Sequence, residues 1–139
     1  MTENFKSFPD SNVWLYALTE QDEKRKQKAE DLIEKNKERI CLSTQVINEV
    51  CVNLKRKASF NEQDVSLLID SFYLNYEVIE LNREILLTAS ALRGRYSLSF
   101  WDGLIAASAL FADAEILYSE DMQNGLVIEK KLRIINPFL

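Results

Sequence analysis

Apolar residues recur along this chain in two rhythms, short continuous runs and longer stretches at helical spacing. The short runs predict strands at Phe5–Pro9, Ile40–Leu42, Val78–Ile79, Ile116–Tyr118 and Leu132–Ile135. Between them lie helical patterns. Asp10-Ser11-Asn12 is a turn-prone cluster able to cap the segment Val13–Leu18. Glu20–Arg39 carries dense charge of both signs above a thin stripe of Ala29, Leu32 and Ile33, so it predicts an exposed helix. Its run Lys24-Arg25-Lys26-Gln27-Lys28 predicts a solvated face. Ser43 or Thr44 caps a helix with an apolar arc of Val46, Ile47, Val50, Cys51, Leu54 and Ala58. Asn61 opens a further helix through Val65, Leu68, Ile69, Phe72 and Tyr76. Asn82 opens another through Ile85, Leu86, Ala89 and Leu92, with Gly94 as its expected end.

The stretch Ser99–Leu110 differs from the others. After Asp102 it is apolar or small throughout, which predicts a buried helix with one carboxylate in its first turn. A buried carboxylate is costly unless something pairs with it, ligates it or protonates it. Two readings of Asp102 stay open: a capping-box partner of Ser99, helped by the helix dipole, or a functional acid.

Short apolar strands alternating with helices predict an α/β fold, a parallel sheet covered on both faces, with right-handed crossovers. The 139 residues predict a single domain, 1–139. Ligands in such folds bind beyond the carboxyl ends of the strands, where strand order reverses. Asp10 follows the first strand, and Ser119, Glu120 and Asp121 follow the fourth, so both acidic clusters are placed to face one crevice.

Composition narrows the chemistry. The chain has no histidine, which excludes Ser-His-Asp and Cys-His catalysis and any histidine-bound metal. Its two cysteines, Cys41 and Cys51, cannot build a four-thiolate zinc site and read as buried thiols of a reducing cytoplasm. No signal peptide or bilayer-length apolar run is evident, so the expected location is cytoplasmic, without membrane association. Carboxylates without histidine favour hard cations such as Mg²⁺ or Mn²⁺. A net charge of −5 provides no global basic field, so a nucleic-acid ligand would need a local basic patch or a metal.

Four carboxylates compete for a role: Asp10, Glu49, Asp102 and Asp121. Singly, Asp10 fits a strand-to-helix turn and Asp121 fits ordinary loop composition. Glu49 falls at the edge of its helix's apolar arc, as an exposed glutamate would. Gathered in one crevice they would repel one another unless a cation neutralised them. Such a cation also suits phosphodiester cleavage.

The segments Phe8-Pro9-Asp10-Ser11-Asn12-Val13, Ser43 through Val50, Ser99-Phe100-Trp101-Asp102 and Tyr118-Ser119-Glu120-Asp121 occur in an order that resembles the PIN domain. The similarity extends through Ile134-Ile135-Asn136-Pro137-Phe138 and is greatest to the VapC-type toxins of toxin–antitoxin pairs. The resemblance implies a three-layer α/β/α fold with a parallel five-stranded sheet ordered 3-2-1-4-5. It implies that Asp10, Glu49, Asp102 and Asp121 bind Mg²⁺ or Mn²⁺ and carry catalysis, with Ser119 as an accessory group and Asn12 bracing the turn that holds Asp10. Ser11 stands where the family usually has threonine, which keeps the hydroxyl.

The function so implied is a metal-dependent endoribonuclease leaving 5′-phosphate and 3′-hydroxyl ends, the toxin of a toxin–antitoxin pair. Single-stranded or looped RNA suits a crevice of this kind. Candidate phosphate contacts are Lys55, Arg56 and Lys57 at the end of the Glu49 helix, and Arg93 and Arg95 before the Asp102 helix. Expected partners are RNA, a cognate antitoxin and a second copy of the chain. Trp14, Tyr16, Phe60 and Tyr73 are candidate contact aromatics that could equally be core. One alternative is a PIN-like binding or regulatory module without turnover. A second, a phosphoacceptor domain of receiver type, wants a lysine beside the site after its last strand, and no residue fills that role well.

Overall fold

A computed structural model of the chain describes residues 5–139. Six short strands and six helices follow in the order β1 (Ser7–Pro9), α1 (Ser11–Leu18), α2 (Glu23–Asn36), β2 (Cys41–Ser43), α3 (Thr44–Lys57), α4 (Glu62–Asn75), β3 (Glu77–Ile79), α5 (Arg83–Tyr96), α6 (Phe100–Phe111), β4 (Ile116–Tyr118), β5 (Val127–Ile128) and β6 (Leu132–Ile135). Every residue of β1 and β2 is buried, as expected of strands covered on both faces. The α/β class and the parallel character of the sheet therefore follow the apolar pattern.

The strand arrangement departs from one five-stranded parallel sheet. Hydrogen bonding groups the strands as β1-β4-β6-β5 and β2-β3, with a single parallel bridge, Ser7 to Ile40, between the groups. β1–β4, β4–β6 and β2–β3 are parallel, and β5 pairs antiparallel to β6. The extra strand β5 follows from a hairpin at Glu129-Lys130. Both residues hold positive φ (54° and 58°), and Lys131 N–H donates to Ile128 O at 3.0 Å. Left-handed pairs of this kind usually take Asn-Gly, so Glu-Lys offers no turn signal in the sequence.

Caps set most helix starts. Ser43, Asn61, Asn82 and Ser99 each accept from the backbone N–H three residues on, and Asn61 and Asp64 complete a reciprocal capping box. The expected end of α5 at Gly94 is corrected: the helix runs on to Tyr96 and stops at Ser97, whose φ of 56° is left-handed. One interior glycine costs about 1 kcal/mol, less than a turn of helix packed against a neighbour returns. Tyr96 is also held from outside, since its hydroxyl accepts from Glu129 N–H and donates to Glu129 Oε2.

The core lies where α3 and α6 meet the sheet. α3 buries Val46, Ile47, Val50, Cys51 and Leu54, the arc its spacing predicts, and α6 buries every residue from Gly103 to Ala109. Gly103 is small for a steric reason. A Cβ there would stand 2.5 Å from Arg93 Cγ and 3.1 Å from Ala89 O, so α5 and α6 could not approach as they do. Cys41 and Cys51 are free and buried, and burial pushes the Cys41 thiol up to about 12, where it is inert. No described helix is long and apolar enough to cross a membrane.

Candidate metal centre

Strand register brings the two acidic clusters together. Pro9 pairs with Tyr118, so Asp10 and Ser119 leave the neighbouring strands β1 and β4 side by side, and Asp10 N–H donates to Tyr118 O at 2.8 Å. Asp10 is the N-cap of α1, with its carboxylate accepting from Ser11 N–H at 2.7 Å. Its other oxygen accepts from Ser119 Oγ at 3.2 Å. Ser119 is fully buried, and its hydroxyl also accepts from Asp121 N–H and Met122 N–H, each at 3.3 Å. One hydroxyl thus fixes both the first acid and the loop that carries the last.

Asp10 is only 7% exposed. Burial pushes its carboxyl up to about 7; the Ser11 and Ser119 hydrogen bonds oppose this, while repulsion from Glu49 and then Asp102 adds to it. Asp102, half-buried in the first turn of α6, is raised as well, by burial first and by Asp121 as its charged neighbour, against a hydrogen bond with Ser99. Ser99 Oγ also accepts from Asp102 N–H at 3.1 Å. The capping role and an acid facing other acids therefore coexist in one residue. Glu49, on the second turn of α3, is half-buried, and its charge is one of those that raise the Asp10 carboxyl. Spacing alone puts it on a polar edge; the packing of α3 decides which space that edge faces.

Among the described residues no three carboxylates are gathered into a ready-made ligand set. Two are engaged elsewhere: Glu49 Oε2 accepts from Gln45 Nε2 at 3.4 Å, and Asp121 Oδ2 from Asn12 Nδ2 at 2.7 Å. Asn12, expected to brace the Asp10 turn, ties that turn to the acidic loop through its amide on Asp121. The donors still fit a hard cation by type. They are all oxygens, no basic side chain among the described residues hydrogen-bonds any of the four acids, and their mutual repulsion is the property a cation relieves. Asp10, Glu49, Asp102 and Asp121 are the groups that would hold it.

Glu120 stands apart from this set. Tyr16 Oη donates to it at 2.8 Å and Arg25 Nε at 2.9 Å, while Arg25 Nη1 holds Asp22 at 2.8 Å. Arg25, expected on a solvated face, instead clamps the residue beside Asp121; nothing in its local sequence distinguishes it from Lys24 or Lys26. Among the described residues none of the candidate phosphate contacts hydrogen-bonds one of the four acids. Lys55, Arg56 and Lys57 are exposed, about 9–12 Å along α3 from Glu49, and Lys55 pairs with Glu62. Arg95 pairs with Glu129. Arg93 donates to Phe100 O at 3.1 Å and stacks on the Phe100 ring at 4.1 Å.

The aromatic expectations divide. Trp14 is core, 4% exposed, with Nε1 donating to Pro9 O, and Tyr16 and Phe60 are half-buried. Tyr73 is exposed. Phe100 and Trp101, in the stretch expected to be buried all round, are 59% and 54% exposed. They occupy the first two positions of α6, ahead of its buried body.

The sequence model of the PIN domain family matches residues 7–123. Solved structures share the fold at low identity. A toxin–antitoxin complex from Klebsiella pneumoniae superposes with a TM-score of 0.72 at 18% identity, over 95% of this chain and 98% of that one. The sarcin–ricin-loop-cleaving toxin VapC20 of Mycobacterium tuberculosis gives 0.69 at 17%, over 84% and 90%. DNA-bound VapBC from Salmonella typhimurium gives 0.67 at 15%, over 94% and 96%. No curated protein sequence matches. With its acids at the carboxyl edge of a parallel sheet, and a family match running from β1 through the loop that carries Asp121, this chain belongs to the PIN domain family.

Proposed function

We propose that the chain is a divalent-cation-dependent endoribonuclease acting as the toxin of a toxin–antitoxin pair, with Asp10, Glu49, Asp102 and Asp121 as its cation ligands. The observation that carries this reading is the buried carboxylate of Asp10 at the carboxyl end of β1, hydrogen-bonded to Ser119 of the acidic loop and with no basic partner among the described residues. A bound Mg²⁺ or Mn²⁺ would lower the pKa of water and offset charge on a phosphodiester oxygen. The chain's own part is positional. β1 and α1 hold Asp10 rigidly, Ser119 orients its carboxylate, and the buried body of α6 anchors Asp102. The superposition on toxins solved in toxin–antitoxin complexes supports an antitoxin partner, and the likeness to a sarcin–ricin-loop-cleaving toxin supports RNA as substrate; a homodimer is part of the same proposal.

The test is cleavage of total RNA and of single-stranded oligoribonucleotides with Mn²⁺, Mg²⁺ or EDTA, comparing the native chain with Asp10→Asn and Asp102→Asn. Cleavage that stops in EDTA and in both folded variants is the expected result. A second reading, a binding module without turnover, draws on the spread of the acids among the described residues. A native chain that cuts no RNA with either cation would favour it and sink the nuclease; cation-dependent cleavage that persists undiminished in Asp102→Asn would sink the assignment of Asp102 to the site.

A further inference from the structure

The most unusual surface feature is the aromatic pair that opens α6. Phe100 and Trp101 are more than half exposed, and their rings meet edge to face at 5.1 Å and 79°. Single exposed aromatics need no explanation, but this pair is built into a larger arrangement. Arg93 reaches across from α5, places its guanidinium 4.1 Å from the centre of the Phe100 ring and bonds Phe100 O. Its stem lies over Gly103, in space that any side chain at that position would fill. The result is a cation–aromatic–aromatic row at a helix N-terminus, and Trp101 is the chain neighbour of Asp102.

We infer that Phe100 and Trp101, backed by Arg93, are a stacking platform for the unpaired bases of single-stranded RNA that flank the phosphate at the carboxylates. This deepens the ribonuclease reading and rests on it. The surface matches that occupant in three ways. Aromatic faces stack on any nucleobase, so the platform needs no sequence code. A guanidinium and the positive end of a helix favour a polyanion in a chain whose net charge of −5 otherwise repels one. The row also stands one residue before Asp102, next in the chain to an acid assigned to the phosphate. A duplex would hide its base faces; a splayed strand offers them.

Of the chain's two tryptophans, Trp14 is buried and Trp101 exposed, so acrylamide-accessible emission reports Trp101. The experiment titrates the full chain with a mixed-sequence single-stranded oligoribonucleotide and with an abasic ribose-phosphate oligomer of equal length, in Ca²⁺. It also measures Mn²⁺-dependent cleavage by the native chain, Trp101→Ala and Trp101→Phe. Expected are quenching of Trp101 by the base-bearing RNA alone, and a KM raised about tenfold in Trp101→Ala with little change in kcat, restored by Trp101→Phe. Active cleavage with no quenching and an unchanged KM overturns the platform and leaves the nuclease standing. Quenching by base-bearing RNA from a chain that cuts nothing supports the platform and rejects the nuclease; neither quenching nor cleavage rejects both. Trp101 shielded from acrylamide before RNA is added, with a dimer that becomes monomeric in Trp101→Ala, would make the patch a contact between copies and overturn the proposal.

Discussion

Asp10→Asn should stabilise the metal-free protein at neutral and alkaline pH. The carboxyl moves from 3.8 to about 7 on folding, so at about pH 8 its charge costs the fold about 4 kcal/mol. Asn removes that charge and keeps the cap, because its oxygen can still accept from Ser11 N–H. The substitution has one penalty: an amide N–H₂ faces Ser119 Oγ, which already accepts from Asp121 and Met122 N–H, a mismatch worth about 1 kcal/mol. The expected net gain is therefore about 2–3 kcal/mol. The sign follows from linkage. A carboxyl raised in the fold contributes its stability in the neutral form, in full below 3.8, and loses it as pH rises through about 7. The native chain should thus lose stability relative to the variant between about pH 4 and pH 7, with a level difference above about pH 8. Urea unfolding of both proteins in EDTA, at constant ionic strength across that range, measures the difference directly. A variant less stable than the native chain at about pH 8, or a difference independent of pH, would refute the argument that burial and like charge govern Asp10. Adding Mn²⁺ should then raise the native chain's stability by mass action and leave Asp10→Asn nearly unchanged.

The other predictions concern single contacts. Ser119→Ala removes the donor to Asp10 and the acceptor of two loop N–H groups, and should cost about 1–3 kcal/mol by urea unfolding; an unchanged midpoint would show that the loop re-pairs without it. Gly103→Ala gains about 1 kcal/mol of helix propensity. It must also displace Arg93 and press on Ala89 O, so a net loss of about 1 kcal/mol is expected, and a raised melting temperature would count against close α5–α6 packing. Asn61→Ala breaks the reciprocal capping box of α4 and should cost about 1 kcal/mol, seen as faster amide exchange in the first turn of that helix.

Much of the fold was legible along the chain because its signals are local. Helix starts at Ser43, Asn61, Asn82 and Ser99 depend on one side chain meeting a backbone N–H three residues on, a distance set by helix geometry alone. The buried arc of α3 follows from period and composition in the same way. Where the reading failed, the deciding feature was a contact far off in sequence or a backbone turn that its residue types do not signal. α5 passes Gly94 because the chain turns left-handed at Ser97 and Tyr96 is held by Glu129, and the β5–β6 hairpin turns on residues with no turn chemistry of their own. Arg25 looked like its lysine neighbours until Glu120, 95 positions away, was placed against it.

The site divides along the same line. By itself the sequence determined the chemical type of the candidate site, since a chain without histidine and with acids after two strand ends presents carboxylate oxygens there. It also singled out Asp102, because an acid on an otherwise apolar helix is expensive wherever that helix packs. Tertiary structure decided what lies beside each acid. The pairing of β1 with β4 seats Asp10 beside Ser119, and the same edge brings Asn12 to Asp121. It decided as well that Phe100 and Trp101 stay in solvent while the rest of α6 is buried. Electrostatic repulsion and exposure depend on distances through space, and hydrophobic patterning specifies only which residues turn inward.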